Sequence, residues 1–140
     1  MSESEAHRAI VLAHGSMATG MVDAVRKIAG VEEGVLIPLS NEGKSPQALQ
    51  EELETLLTGP VQLVFTDLMS GSCALAARKC APENCPQVIV SGVNLPILLD
   101  FVFNRNLPMD ELIPRLVKRG GDAIRSIPEF PAHVDSSLSG

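Results

Sequence analysis

The chain has no Trp or Tyr and only 4 Phe in 140 residues. Its core must therefore be built from aliphatic side chains, and it lacks the aromatic platforms on which single-stranded nucleic acids stack. Positive charge is scarce as well: 11 Lys and Arg stand against 17 Asp and Glu, a net charge of -6. That balance repels nucleic acid and anionic membrane surfaces, which leaves proteins and small molecules as partners. The three cysteines, Cys73, Cys80 and Cys85, form no CxxC pair and have no histidine close by in sequence. This pattern excludes a disulfide framework, gives no zinc signature and reads as reduced thiols. No apolar run reaches the roughly 20 residues that span a bilayer, and the short polar N-terminus is no signal peptide. The expectation is a soluble, cytoplasmic protein with no metal and no cofactor.

What is present is an ordered alternation. Apolar runs rich in β-branched residues occur at residues 9–13 (AIVLA), 34–39 (GVLIPL), 61–66 (VQLVFT) and 87–91 (QVIVS), each suited to a buried strand. Helical spacing fills the intervals. The first helix sets Met17, Met21, Val25 and Ile28 on one stripe and ends at Gly30. The second opens on Ser45 as N-cap with Pro46 at the first position, carries Leu49, Leu53, Leu56 and Leu57 inward, and stops at Gly59-Pro60. A short third helix follows Ser72. A fourth starts at Asn94, tolerates Pro96 in its first turn and buries Leu95, Leu98, Leu99 and Val102. The last runs over residues 109–127 with Leu112, Leu116 and Ile124 apolar, Pro114 and Gly120-Gly121 bearing on its ends and straightness.

Strands alternating with helices predict a single-domain α/β fold, doubly wound, with a mostly parallel sheet of four to five strands and helices on both faces. Residues 1–7 read as a flexible leader, 8–127 as the domain and 128–140 as a C-terminal tail. One core is enough for a chain of this length. In such a sheet the reaction site lies beyond the C-terminal strand ends, at the point where strand order reverses. Three segments put polar residues there: Ala13-His14-Gly15-Ser16, Thr66-Asp67-Leu68-Met69-Ser70-Gly71-Ser72 and Ser91-Gly92-Val93-Asn94.

If the first and third strands are neighbours, His14 and Asp67 come within hydrogen-bond reach. A neutral imidazole offers one nitrogen as nucleophile while the other donates to a carboxylate, which fixes the tautomer. A phosphoryl group on the ring needs donors, and Ser70-Gly71-Ser72 ahead of a helix can supply amides and a hydroxyl. Gly15 leaves room for an approaching partner. Each element also has a plain structural reading: histidine as a surface residue, Asp67 as a loop former, Gly71-Ser72 as a turn, Asn94 as a cap, Cys73 as a small core residue, Met17 and Met21 as helix packing. His7 falls in the leader and His133 in the tail.

Taken together, the stretches AIVLAHGSMATGMVDAVRKIAG, TDLMSGS and VSGVNLPILLDFV resemble, in order and spacing, the mannose-family IIA components of the bacterial phosphoenolpyruvate-dependent sugar phosphotransferase system. The resemblance runs from about Arg8 to Ile127. It implies a doubly wound α/β fold, a homodimer that in some members exchanges a C-terminal strand, and a phosphotransferase role with His14 as phosphoacceptor and Asp67 as its orienting carboxylate. It places Met69, Ser70, Gly71 and Ser72 on the loop lining the phosphohistidine. By the same resemblance the histidine phosphocarrier protein is the donor, a IIB component the acceptor, and the membrane IIC and IID components are indirect partners. After the aspartate the family pattern usually runs through two glycines, a serine or threonine and a proline, with an asparagine soon after. Here the run is Ser70-Gly71-Ser72-Cys73-Ala74-Leu75, which bears on loop shape and IIB recognition. No Ala/Pro-rich linker or IIB-like half is present, so a free-standing IIA protein is expected.

Four other readings compete. A receiver-like domain phosphorylated on Asp67 would want an acidic pair where His14-Gly15 stands. A nucleotide binder would carry GxGxxG or GxxxxGK[ST] after a strand, and none is found. A binding-only regulator would not need His14 with Asp67. The nearest alternative is the phosphotransfer subunit of a dihydroxyacetone kinase, which also carries a histidine here; the run of His14, Gly15, Ala18 and Gly20, and Asn94-Leu95-Pro96, favour the sugar system.

Overall fold

A computed structural model describes residues 6–79, 86 and 88–131. Cys80, Cys85, Gln87 and His133 lie outside them. The element order is β1 (Arg8–Ala13), α1 (Met17–Ala29), β2 (Leu36–Ser40), α2 (Pro46–Leu56), β3 (Val61–Thr66), α3 (Ser72–Arg78), β4 (Val88–Ser91), α4 (Leu95–Phe103) and α5 (Met109–Asp122). Four parallel strands form one sheet in the order β2-β1-β3-β4. The chain therefore leaves β1 to one side and returns to its other side, so the order reverses between β1 and β3.

The side-chain alternation of β1 divides the core in two. Ala9, Val11 and Ala13 join α1, α4 and α5 on one face, while Ile10 and Leu12 join α2 and α3 on the other. A strand buried on both sides needs a continuous apolar run, which is why β1 reads AIVLA. Phe65 of β3 meets Phe101 of α4 edge to face, ring centres 5.5 Å apart, an arrangement suited to the ring quadrupoles.

The helix caps follow the local chemistry. Ser45 accepts from the Ala48 amide ahead of Pro46, Asn94 accepts from the Ile97 amide ahead of Pro96, and Gly30 ends α1 in the left-handed conformation. Inside the helices the structure departs from the sequence pattern. Helix α1 buries Ala18, Val22 and Val25, whereas Met17 and Ile28 are exposed and Met21 only packs against the core edge. The small side chains turn inward because they let the helix approach the sheet. Helix α4 buries Ile97, Leu98 and Phe101, with Leu95, Leu99 and Val102 half-buried.

Helix α5 ends at Asp122 rather than at 127, and Ile124 is exposed. It continues past Pro114, which has no amide hydrogen for the Asp110 carbonyl. It also continues through Gly120, which is buried where any Cβ would collide with the Ile97 side chain, and whose carbonyl accepts from Asn94 Nδ2 at 3.0 Å. The glycine thus permits close packing of α4 and α5 rather than breaking the helix. At the other end, the expected leader is packed at its last two described residues: Ala6 is buried, and His7 Nε2 lies 3.0 Å from the Leu107 carbonyl while its amide donates to that of Arg105.

Candidate functional site

Register decides what faces what at the mouth of the sheet. Leu12 of β1 pairs with Thr66 of β3, so the residues that follow, His14 and Asp67, emerge side by side. Asp67 Oδ2 accepts from the His14 backbone amide at 3.0 Å and lies 2.8 Å from His14 Nδ1, while Asp67 Oδ1 accepts from the Leu68 amide at 3.0 Å. Burial pushes the Asp67 carboxyl up, but the hydrogen bonds from the His14 amide and ring, the charge of that ring and the Leu68 amide outweigh it and hold it below the ordinary value. Asp67 is thus a carboxylate at neutral pH, and it keeps the Nδ1 proton in place. The His14 side chain is 38% exposed and that of Asp67 only 9%: the ring reaches solvent and the carboxylate beside it barely does.

The second ring nitrogen faces the loop after β3. Ser72 Oγ lies 3.4 Å from His14 Nε2. Gly71 sits beside this edge of the ring, where an added Cβ would stand 3.5 Å from Cε1 and 3.6 Å from Nε2. Its backbone, at φ +97 and ψ -178, lies in a region that is essentially reserved for glycine. Of the four loop residues singled out in the sequence, Gly71 and Ser72 are brought to His14. Met69 and Ser70 are exposed and, among the described residues, no hydrogen bond from either reaches the histidine. The Met69 carbonyl instead accepts from the Arg78 guanidinium at 2.9 Å, which ties the loop to the end of α3.

Two residues at the end of β2 went unread in the sequence. Asn41 accepts from the Gly15 amide through Oδ1 at 3.1 Å and donates through Nδ2 to Ser72 Oγ at 3.3 Å. Ser40 Oγ donates to the Gly15 carbonyl at 2.6 Å. Together they clamp the turn that carries His14, in which Gly15 has a positive φ of 61, and aim the Ser72 hydroxyl at the ring. The only available signal was their place, polar and adjacent, after a strand that borders the reversal point. On the far side Thr66, a buried polar residue, donates to the Leu68 carbonyl and is hydrogen-bonded to Ser91 Oγ, both at 2.9 Å. Cys73 is buried beneath the site, and burial first, then the Asp67 charge, push its thiol up against an opposing hydrogen bond with Ser72.

A family model described as the PTS system fructose IIA component, of the mannose IIA type, matches residues 8–116. The chain belongs to that family. A IIA component is a phosphocarrier of a sugar phosphotransferase system, and neither a receiver nor a kinase subunit is favoured. Solved IIA structures share the fold. The EIIA component from Streptococcus agalactiae is 23% identical with a TM-score of 0.76, over 86% of this chain and 97% of that one. The mannose/sorbose-specific IIA subunit from Enterococcus faecalis is 24% identical with a TM-score of 0.73, over 92% and 99%. A IIA protein associated with a fucose utilization operon in Streptococcus pneumoniae is 18% identical with a TM-score of 0.73, over 91% and 97%. No curated protein matches the chain by sequence. Among the described residues no helix is long and apolar enough to cross a membrane.

Proposed function

We infer that this IIA component carries its phosphoryl group on Nε2 of His14. The observation that supports this reading is the split of the ring: Nδ1 is committed to Asp67 at 2.8 Å, which leaves the Nε2 lone pair beside Gly71 and Ser72 on a partly exposed edge. In the transfer, the nitrogen–phosphorus bond of the donor's phosphohistidine breaks as the Nε2–phosphorus bond forms in line. The Nδ1 proton stays where it is. Positive charge that grows on the imidazole as its lone pair is shared is offset by the Asp67 carboxylate. The Ser72 hydroxyl and the amides of the Met69–Ser72 loop are the donors for the phosphoryl oxygens, Gly71 keeping the space beside Nε2 clear. The reverse sequence delivers the group onward, and a phosphoramidate keeps the transfer potential that a serine ester would lose.

The donor in this reading is the histidine phosphocarrier protein and the acceptor a IIB component, with the membrane IIC and IID components reached only through IIB. The protein works in the cytoplasm as a homodimer. Supporting the last point, Ile124, Ile127 and Phe130 after α5 are exposed, Ile127 fully, and among the described residues β4 pairs only with β3, leaving its other edge open.

Incubation with phosphoenolpyruvate, enzyme I and the histidine phosphocarrier protein should add one phosphoryl group by intact mass, stable in base and lost in acid. His14→Ala should abolish it. Labelling that survives His14→Ala but not Asp67→Ala would move the acceptor to the aspartate and overturn this assignment.

A further inference from the structure

Cys73 is separated from Asp67 by six positions and from His14 by fifty-nine, so no spacing rule groups them. The fold does. One ligand-type atom from each of His14, Asp67 and Cys73 lies within 4.8 Å of the other two. Imidazole, carboxylate and thiolate are a donor set matched to a borderline-soft divalent cation, zinc above all, and three protein ligands with an open fourth position are a familiar coordination state of that ion.

We propose that His14, Asp67 and Cys73 form a zinc-binding site that, when filled, switches off the phosphoacceptor. The adjustment required of the nitrogen–oxygen pair is small. A tetrahedral ion about 2.0–2.1 Å from nitrogen and oxygen holds those two atoms about 3.3 Å apart. Nδ1 and Oδ2 are already 2.8 Å apart, so the ion enters where the proton now sits and the pair opens by about half an ångström. Cys73, buried at the start of α3, has its ligand atom within 4.8 Å of the other two; it binds as a thiolate drawn to about 3.5 Å from them, and its proton goes to solvent. His14, 38% exposed, leaves the fourth position open to water and gives the ion its way in.

The effect on chemistry follows from the tautomer. With the metal on Nδ1, the single proton of the neutral ring moves to Nε2. The lone pair that attacks phosphorus is then gone, and Asp67 is held by the metal instead of serving the imidazole. A filled site therefore blocks attack by Nε2 on phosphorus without occupying that nitrogen. The site itself does not depend on the phosphocarrier reading; only its consequence for transfer rests on that reading.

The test uses the full chain with Cys80 and Cys85 replaced by serine, so that Cys73 is the one remaining thiol. Cobalt(II) is the spectroscopic probe and zinc the competitor. Expected are a thiolate-to-cobalt charge-transfer band, tetrahedral visible bands, one-to-one stoichiometry and displacement by zinc. In the otherwise native chain, Cys73→Ser should remove the Cys73 contribution to that band, and His14→Ala should weaken binding about tenfold or more. Zinc should slow transfer from a purified, already phosphorylated donor at least tenfold, with full recovery on chelation, and Cys73→Ser should be insensitive to it. No band in the single-thiol chain, a band indifferent to His14→Ala, or transfer unaffected by bound zinc would each overturn the proposal. If the metal-free chain accepts no phosphoryl group while the band is present, the carrier assignment fails and the metal site stands.

Discussion

One oxygen of Asp67 takes both the amide and the ring of His14, so a single carboxylate fixes where the histidine stands and which nitrogen holds its proton. Asp67→Asn keeps the size and removes the charge; transfer should slow on the order of a hundredfold while labelling remains possible, and an unchanged single-turnover rate would deny Asp67 this role. The same contact has a pH signature. Because the folded carboxyl lies below its ordinary value of 3.8, its stabilisation is complete above that value and is lost as pH falls through the folded pKa. The melting-temperature advantage of the wild type over Asp67→Asn should therefore hold near neutrality and vanish in acid. Gly71 gives a second expectation. At φ +97 any side chain is strained by about 1–3 kcal/mol, and the new methyl group would sit 3.6 Å from Nε2; Gly71→Ala should lower both thermal stability and the rate of phosphorylation.

At the scale of elements, packing shape overrode pattern. The caps at Ser45 and Asn94 were legible because one side chain and one amide decide them. The buried face of α1 was read correctly at Val25 and wrongly at its ends: counting large apolar residues selects Met17 and Ile28, while the sheet admits Ala18 and Val22. Gly120 was read as a weak point for the same reason, since a sequence does not say that Ile97 occupies the space a side chain would need. Gly120→Ala should force α4 and α5 apart at a cost of about 1–3 kcal/mol, a fall of roughly 5–10 °C in melting temperature by calorimetry. A neutral substitution would mean that the helices have slack. Asn41 and Ser40 escaped notice because a clamp made of two unrelated turns leaves no periodic trace.

For the whole molecule, the alternation of strands and helices carried the fold class, because parallel crossovers admit few arrangements; the meeting of His14 with Asp67 was conditional on β1 and β3 being neighbours, which the strand order supplies. Assembly was inferred only through resemblance. If the apolar residues beyond α5 cover a second copy, sedimentation should report a dimer, and Ile127→Asp should shift it to monomer without loss of helical signal; a monomeric wild type would contradict the assignment. The mounting of the histidine bears on how such a carrier meets its partners. It follows directly on β1, whose last five residues are fully buried and which is flanked by a strand on either side, the kind of segment that opens last when a protein fluctuates. If His14 carries the phosphoryl group as proposed, its imidazole is a stationary docking point, and whatever swivelling is needed to line up two rings around one phosphorus falls to the visiting protein.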